Sequence, residues 1–479
     1  MALNTGLPTV LENIVATRRT HLPQIRAQLA GITAESLPVS QRSLFESLRS
    51  GGTGNGRNGR EGRHFIMECK SASPSLGAIR PDYDPAAIAR IYSRYAAGIS
   101  VLCEPEFFGG SYQHLSAVSA TTHLPVLCKD FIIDPIQIIA ARYYGADAIL
   151  LMLSVLDDES YRLLAKLATQ LGLDILTEVV DEEEVARAIA LGANIFGINH
   201  RNLHDLSIDL ERSARLEKLV PTEAVVVSES GIRDNRTVRK LSGHSDAFLV
   251  GSQLTSQPDI DLACRELVYG AHKVCGLRSI AEAQNIRANG ASYGGLIFEE
   301  ASPRNVSRET SQKIIAGTPG LKFVAVSRRI QGWGELVADL GISAVQVHAP
   351  LLASATAELE LMHSIRTELP QGVEYWRAIS MTDSAGPGIA IALAANEQVD
   401  KLLLDSGVGG TGEAFDWAKI PPAVAKKSLL AGGLKLANIP AALSTGVAGL
   451  DLNSGLEYPD GSAKDPGAVR RAFEAIRIN

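Results

Sequence analysis

HFIMECKSASPSLGAIR, residues 64–80, decides the fold of the first half of the chain. An apolar run of strand length, Phe65-Ile66-Met67, ends in an acid and a base, Glu68 and Lys70. Two residues apart on a strand, these side chains point to the same face. A loop of small residues follows at once, Ser71-Ala72-Ser73-Pro74-Ser75, and then Gly77. A strand whose C-terminal end carries a same-face Glu and Lys and then breaks into such a loop forms the mouth of a barrel or of an open parallel sheet.

Working outward, short apolar runs recur every 20–30 residues after Phe65, at 65–68, 99–103, 125–128, 147–152, 174–178, 195–199, 224–228 and 246–250. The segments between them carry helical patterning, and two of these, at Asp84-Pro85 and Asp134-Pro135, begin with an N-cap followed by proline at the first helical position. Runs of Val, Ile and Leu without alternation suit strands buried on both faces. Eight strand–helix units in about 210 residues is the count of a (β/α)8 barrel. The count then starts again, at 272–275, 293–298, 322–326, 344–348, 375–379, 401–405, 428–431 and 448–452. This repeat predicts an α/β chain of two tandem (β/α)8 TIM barrels, 1–267 and 268–479. Residues 1–50 read as a helical extension of the first, with Leu11, Ile14 and Val15 at helical spacing. The glycine-rich stretch 51–63 reads as a flexible loop, because no strand precedes it and no GK[ST] ends it. A doubly wound pair would need a G-x-G-x-x-G after a strand, and none occurs.

The length of 479 residues fits two domains. The net charge of −7, with both signs interspersed, argues against nucleic acid as a partner and leaves room for a local anion pocket. Five cysteines without a C-x-x-C pair fit a reducing compartment, so a cytoplasmic location is expected. MALNTGLPTVLENIV lacks a charged region followed by a long apolar core, so no signal peptide is expected. No apolar run reaches the roughly 18 residues of a membrane span.

In this fold the active site lies at the C-terminal ends of the strands. In the first half those ends carry Glu68, Lys70, Lys129, Glu178, Asn199, Arg201 and Glu229. A lone strand-end Lys or Glu is ordinarily a structural ion pair, and a lone Asn a cap. Seven such residues on five strands of one mouth point instead to acid–base chemistry. The turns at Ser230-Gly231 and Gly251-Ser252 fall where this fold usually holds a phosphate. His, Cys and Asp do not cluster, so no metal is expected.

These motifs resemble the indole-3-glycerol phosphate synthase family: Glu68-Cys69-Lys70 with Ser73-Pro74-Ser75, Phe107-Phe108-Gly109-Gly110-Ser111, Cys128-Lys129-Asp130-Phe131, Thr177-Glu178-Val179, Asn199 with Arg201, and Ser228-Glu229-Ser230-Gly231. The resemblance spans residues 1 to about 265. It implies Lys129 as the general acid on the substrate carbonyl. Glu178 and Lys70 would serve later proton transfers, and Glu68 and Glu229 would orient and stabilise. Asn199 and Arg201 would meet the substrate's polar groups, with Ser73 and Ser230 also in contact. Phe108 would pack the anthranilate ring, and Gly231, Gly251 and Ser252 would hold phosphate. Cys103 stands where Thr is usual, Leu76 where a basic residue is common, and His200 between Asn199 and Arg201 is a further departure.

The second set of strand ends differs: Cys275, Arg304 after Ser302-Pro303, His348, Asp405, Gly432-Gly433 and Ser454-Gly455. Taken singly, a strand cysteine is ordinarily inert packing, a lone histidine a satisfied structural one, an Asp before a Gly loop a turn former and an Arg after Ser-Pro a surface residue. Lys273-Val274-Cys275-Gly276-Leu277, Ser302-Pro303-Arg304, Val345-Gln346-Val347-His348, Asp405 with Gly409-Gly410-Thr411-Gly412, and Ala431-Gly432-Gly433-Leu434 together resemble phosphoribosylanthranilate isomerase. That resemblance implies Asp405 as general acid and Cys275 as general base. Arg304 would steady the anionic anthranilate, His348 would contact substrate, and Gly432, Gly433, Ser454 and Gly455 would serve the phosphate end. Ala349 and Ser327 depart from the usual Gly and aromatic.

The two resemblances imply a bifunctional enzyme of tryptophan synthesis without cofactor, acting on small phosphorylated anthranilates. A monomer is expected, because the fusion already supplies one barrel–barrel contact. The paired phosphate barrels of histidine synthesis use Asp at strands 1 and 5, which this chain lacks. A non-catalytic phosphate-binding or scaffolding tandem barrel with one dead half is the other alternative, and the acid–base sets in both halves argue against it.

Overall fold

A computed structural model describes residues 9–49, 63–74, 77–202, 206–406 and 415–478. The glycine-rich stretch through residue 62, Ser75, Leu76 and Gly409 to Gly412 lie outside the described residues. The chain divides into two compact units, Met1–Cys264 and Arg265–Arg477. Each contains one closed parallel barrel.

The first barrel is built from β1 (His64–Cys69), β2 (Gly98–Leu102), β3 (Val126–Lys129), β4 (Ala148–Met152), β5 (Asp174–Val179), β6 (Ile195–Asn199), β7 (Val225–Glu229) and β8 (Ala247–Val250). Each strand pairs with the next in sequence, and β1 closes on β8 with His64 opposite Ala247. All six residues of β1 are buried, as a strand covered on both faces requires. The Asp-Pro helix starts form as read. Asp84 accepts from the backbone N–H groups of Ala86 and Ala87, and Asp134 from that of Ile136. A small hairpin, Ala72–Ser73 against Gly77–Ala78, follows β1 and was not foreseen.

The N-terminal extension contains the helix Thr9–Gln28, seated on the barrel by a buried ion pair. Arg18 Nε lies 2.9 Å from Asp130 Oδ1 and Nη2 lies 2.6 Å from Oδ2. Tyr112 donates its hydroxyl to the same carboxylate at 2.8 Å. Arg18 is 2% exposed. Asp130 follows Lys129, so the pair ties the helix to the end of β3.

The second barrel repeats the plan with β9 (Lys273–Val274), β10 (Tyr293–Ile297), β11 (Lys322–Ser327), β12 (Ala344–Val347), β13 (Glu374–Ser380), β14 (Lys401–Asp405), β15 (Ser428–Leu430) and β16 (Gly449–Leu452). It closes with Lys273 opposite Asp451. Its interior packs Tyr293 edge-on to Trp376, ring centroids 4.9 Å apart, with Val324, Ala344, Leu403 and Leu429 around them. A second apolar layer lies between strands and helices. No described helix is long and apolar enough to cross a membrane.

Arg18→Met should strand Asp130 as a buried unpaired charge. The expected outcome is a loss of about 3–5 kcal/mol in the unfolding free energy of the first barrel, measured by denaturant titration.

Candidate functional sites at the two barrel mouths

Because side chains alternate along each strand, the inward-facing residues at the strand ends meet at one mouth. In the first barrel Glu68, Lys70, Ser73, Phe108, Lys129, Glu178, Asn199, Arg201, Ser230 and Ser252 line a single pocket. Lys129 Nζ lies 2.6 Å from Glu229 Oε2 and 3.7 Å from Glu68 Oε2, and Lys70 Nζ lies 2.7 Å from Glu68 Oε1. Two lysines and two glutamates therefore form one chain of alternating charge. Asn199 Nδ2 donates to Glu178 Oε1 at 3.2 Å. Phe108 packs beside Phe131 at 5.9 Å between centroids, and Lys70 Nζ stands 5.9 Å from the Phe108 ring.

The titration states follow from this arrangement. Burial pushes the Glu68 carboxyl up, but Lys70 and Lys129 outweigh it and hold it below the ordinary glutamate value. Burial opposes the charge of Lys129, and Glu229, Glu68 and Glu178 overcome it, so the ammonium is held above the ordinary lysine value. Glu178 is the exception. Burial, reinforced by Glu229, pushes it up to about 8, with Lys129 and Asn199 opposing. The mouth thus holds a firmly charged lysine beside an acid that titrates near neutrality.

Two glycines make room for the carboxylates. A Cβ at Gly197 would lie 2.3 Å from Glu229 Oε1, and one at Gly251 would lie 2.6 Å from Glu68 Oε1. The Ser230-Gly231 turn is left-handed, with φ of 69° and 76°. His200 braces it. The backbone N–H of His200 donates to Glu229 O at 2.9 Å, and its ring Nδ1 lies 2.9 Å from Ser230 O. Its Nε2 meets Ser213 Oγ at 2.7 Å. Burial lowers its pKa, so the ring is neutral.

Some pocket residues escaped the sequence reading. Val10, Leu11 and Ile14 reach the pocket from the N-terminal helix, and Phe131 and Met152 complete its apolar side. The helical spacing of Leu11 and Ile14 was legible, but not the surface they cover.

The second mouth is organised differently. Asp405 and His348 line one pocket with Arg328, Ser380, Thr382 and Asp383, and the last four were not foreseen. His348 Nε2 lies 3.7 Å from Asp405 Oδ2. Burial, aided by Lys273, lowers His348 to about 4, so it faces Asp405 as a neutral ring. Burial raises the Asp405 carboxyl, which favours its proton-bearing form. Cys275 is 5% exposed. Gly432 has φ of 78°, and a Cβ there would lie 2.5 Å from Asp405 Oδ1. Gly433 follows at 64°. Gly455, beside Ser454, passes so close to Leu434 O that a Cβ would lie 2.2 Å away. Arg304 is engaged by Glu457 in a two-point pair of 2.8 and 2.7 Å. Burial works against the Glu457 charge, but Arg304 and Lys464 hold it at about 2. Of the departures, Ala349 offers its carbonyl to buried Arg377 at 2.8 Å, and Ser327 donates to Glu299 at 2.6 Å.

Comparison with known proteins gives the two mouths their family. Residues 11–267 match the family model of indole-3-glycerol phosphate synthase, and residues 272–475 that of N-(5'phosphoribosyl)anthranilate (PRA) isomerase. The tryptophan biosynthesis protein TrpCF of Corynebacterium glutamicum is 63% identical over 478 residues, covering 99% of this chain and 98% of that protein. The chain belongs to the TrpCF family. TrpCF of Yersinia pestis is 42% identical, covering 97% of this chain and 92% of that protein. TrpCF of Salmonella typhi is likewise 42% identical, covering 98% of this chain and all of that protein. Both mouths lie within the matched residues, the synthase family's on the first barrel and the isomerase family's on the second.

The Gly197 contact gives a test confined to one half of this TrpCF chain. Gly197→Ala must displace the Glu229 carboxylate and so loosen Lys129. Steady-state rates on each substrate should show the synthase reaction slowed about a hundredfold, the scale of a 1 Å misplacement, with the isomerase reaction unchanged.

Proposed function

We infer that the chain catalyses two consecutive steps of tryptophan biosynthesis, one at each mouth. The barrel proposed for 268–479 isomerises N-(5-phosphoribosyl)anthranilate to 1-(2-carboxyphenylamino)-1-deoxyribulose 5-phosphate. The barrel proposed for 1–267 converts that product to indole-3-glycerol phosphate with loss of carbon dioxide and water. The observation that carries the synthase assignment is the Lys129–Glu229 contact of 2.6 Å beside Glu178.

In the isomerase half Asp405 gives its proton to the furanose ring oxygen, and the ring opens to an iminium ion. Cys275 then removes the proton from the second ribose carbon, whose bonding electrons pass toward nitrogen. The raised pKa of Asp405 supports the donor role. Arg304, once released by Glu457, steadies the anthranilate carboxylate, and His348 contacts the sugar. Gly432, Gly433, Ser454 and Gly455 bind the phosphate.

In the synthase half Lys129 protonates the substrate carbonyl as the aromatic carbon attacks it. Carbon dioxide then leaves, and dehydration completes the indole. Glu178 and Lys70 move the protons of that last stage, with Glu178 as base. Glu68 and Glu229 keep Lys129 charged and aimed. Phe108 packs the ring, and Asn199, Arg201, Ser73 and Ser230 meet the polar groups. Gly231, Gly251 and Ser252 hold the phosphate. Five free, buried cysteines support a cytoplasmic setting. The chain is proposed to act as a monomer on these small phosphorylated substrates, without nucleic acid or membrane.

The test uses N-(5-phosphoribosyl)anthranilate as sole substrate, followed by product identification. The parent chain should yield indole-3-glycerol phosphate. Lys129→Ala should stop at the carboxyphenylamino-deoxyribulose phosphate, and Asp405→Asn should consume nothing yet still convert that intermediate when it is supplied. Loss of both activities from either single change would refute independent sites.

A second expectation concerns pH. The hydrogen bond from Asn199 favours ionised Glu178, so Asn199→Ala should raise the Glu178 pKa beyond about 8. The acidic limb of synthase kcat/KM should then move to higher pH. An unmoved limb would exclude Glu178 as the group that sets it.

A further inference from the structure

Cys275 does not stand alone in its part of the barrel. Lys273 and Cys275 are two apart, so both point inward. Lys273 Nζ lies 2.9 Å from Asp451 Oδ1 and 2.8 Å from Oδ2, across the closing pair of strands. The lysine is fully buried, and its charge bears on the neighbouring Cys275 sulfur. Gly295 on β10 makes room for the cluster. A Cβ there would lie 2.7 Å from Cys275 Sγ and 2.9 Å from Lys273 Cε. The mechanism above uses neither Lys273 nor Asp451.

A thiol takes up a proton only as its thiolate, and a buried thiolate needs a cation beside it. The charged groups that face the sulfur are Lys273 from its own strand, Asp451 from β16, Lys464, and Arg304 from the loop after β10. Burial raises the thiol above its ordinary value, Lys273 is the leading influence opposing that rise, and Asp451 adds to it. Lys464 is also engaged by Glu457 at 2.9 Å and Asn453 at 2.8 Å, and Arg304 by Glu457.

We propose that Lys273, anchored by Asp451, is the positioning residue of the isomerase half, keeping a fixed ammonium against Cys275 so that the sulfur can stand as the thiolate that takes the substrate's proton. The proposal rests on the reading of Cys275 as the base. In the step itself the carbon–hydrogen electrons move toward the iminium nitrogen, and the sulfur becomes a neutral thiol beside the ammonium. Asp451 fixes the geometry, because a buried lysine without its carboxylate would have to turn away or lose its proton.

The test is the pH dependence of iodoacetamide labelling at Cys275 in the full chain, located by mass spectrometry. Labelling reads the thiolate whether or not Cys275 is the base, and Cys275→Ser tests the base separately through isomerase activity. In the parent chain Cys275 should label faster than buried Cys69 and Cys264. Lys273→Met should raise the labelling midpoint by about one pH unit or more. The acidic limb of isomerase kcat/KM should follow it, and synthase activity should stay unchanged. Lys273→Arg should restore most of the shift. Should Lys273→Met not fold, Lys273→Met with Asp451→Leu leaves no unpaired carboxylate and should still shift the midpoint upward, though less. An unmoved midpoint in the folded variant, or parent Cys275 labelling no faster than the other two, overturns the proposal.

Discussion

The first mouth depends on keeping opposite charges together in a place that water scarcely reaches. A buried lysine or glutamate by itself would shed its charge. Here Lys70, Glu68, Lys129 and Glu229 follow one another as cation, anion, cation, anion. Each charge is held by its neighbours, and the group carries no net charge. Glu178 lies beside this chain, where burial and the nearby Glu229 displace it toward neutrality against the pull of Lys129. The contrast between a locked lysine and a loose acid arises from which residues share a partner.

The second barrel uses the same scaffold with another electrostatic plan. The acid and the thiol proposed to work there are both raised by burial, and a neutral imidazole stands 3.7 Å from the acid. Its cations are tied down nearby, Lys273 to Asp451 and Arg304 to Glu457. The two halves show how little of a barrel's chemistry is set by the fold. Sixteen strands supply positions, and the residues at their ends decide which charges and titrating groups a mouth holds.

Much of this was legible from residue order. Each apolar run became a strand with ends shifted by only a residue or two, because parallel strands covered on both faces leave uninterrupted Val, Ile and Leu. The polar strand ends were legible for the same reason, since alternation assigns them to one mouth. What sequence could not supply were contacts across long separations with no periodic signal. Arg18 and Asp130 are 112 residues apart, and Arg304 and Glu457 are 153 apart. Leu11 and Ile14 announced a helix face but not the pocket beneath it. His200 stood out only as a departure, and its grip on Glu229 and Ser230 emerges once two strand ends are placed together.

The closing seam of the second barrel has a consequence for motion. β9 is only two residues long, and one of those two is Lys273. The shortest strand therefore carries the buried charge on which the neighbouring thiol leans, and it is also where the sheet joins its own beginning. Local opening in proteins starts where few pairings hold an element in place. A brief parting of β9 from β16 would separate Lys273 from Asp451 while the other strands remained paired. Isomerase competence would then depend on the pairing of that one seam rather than on the barrel as a whole.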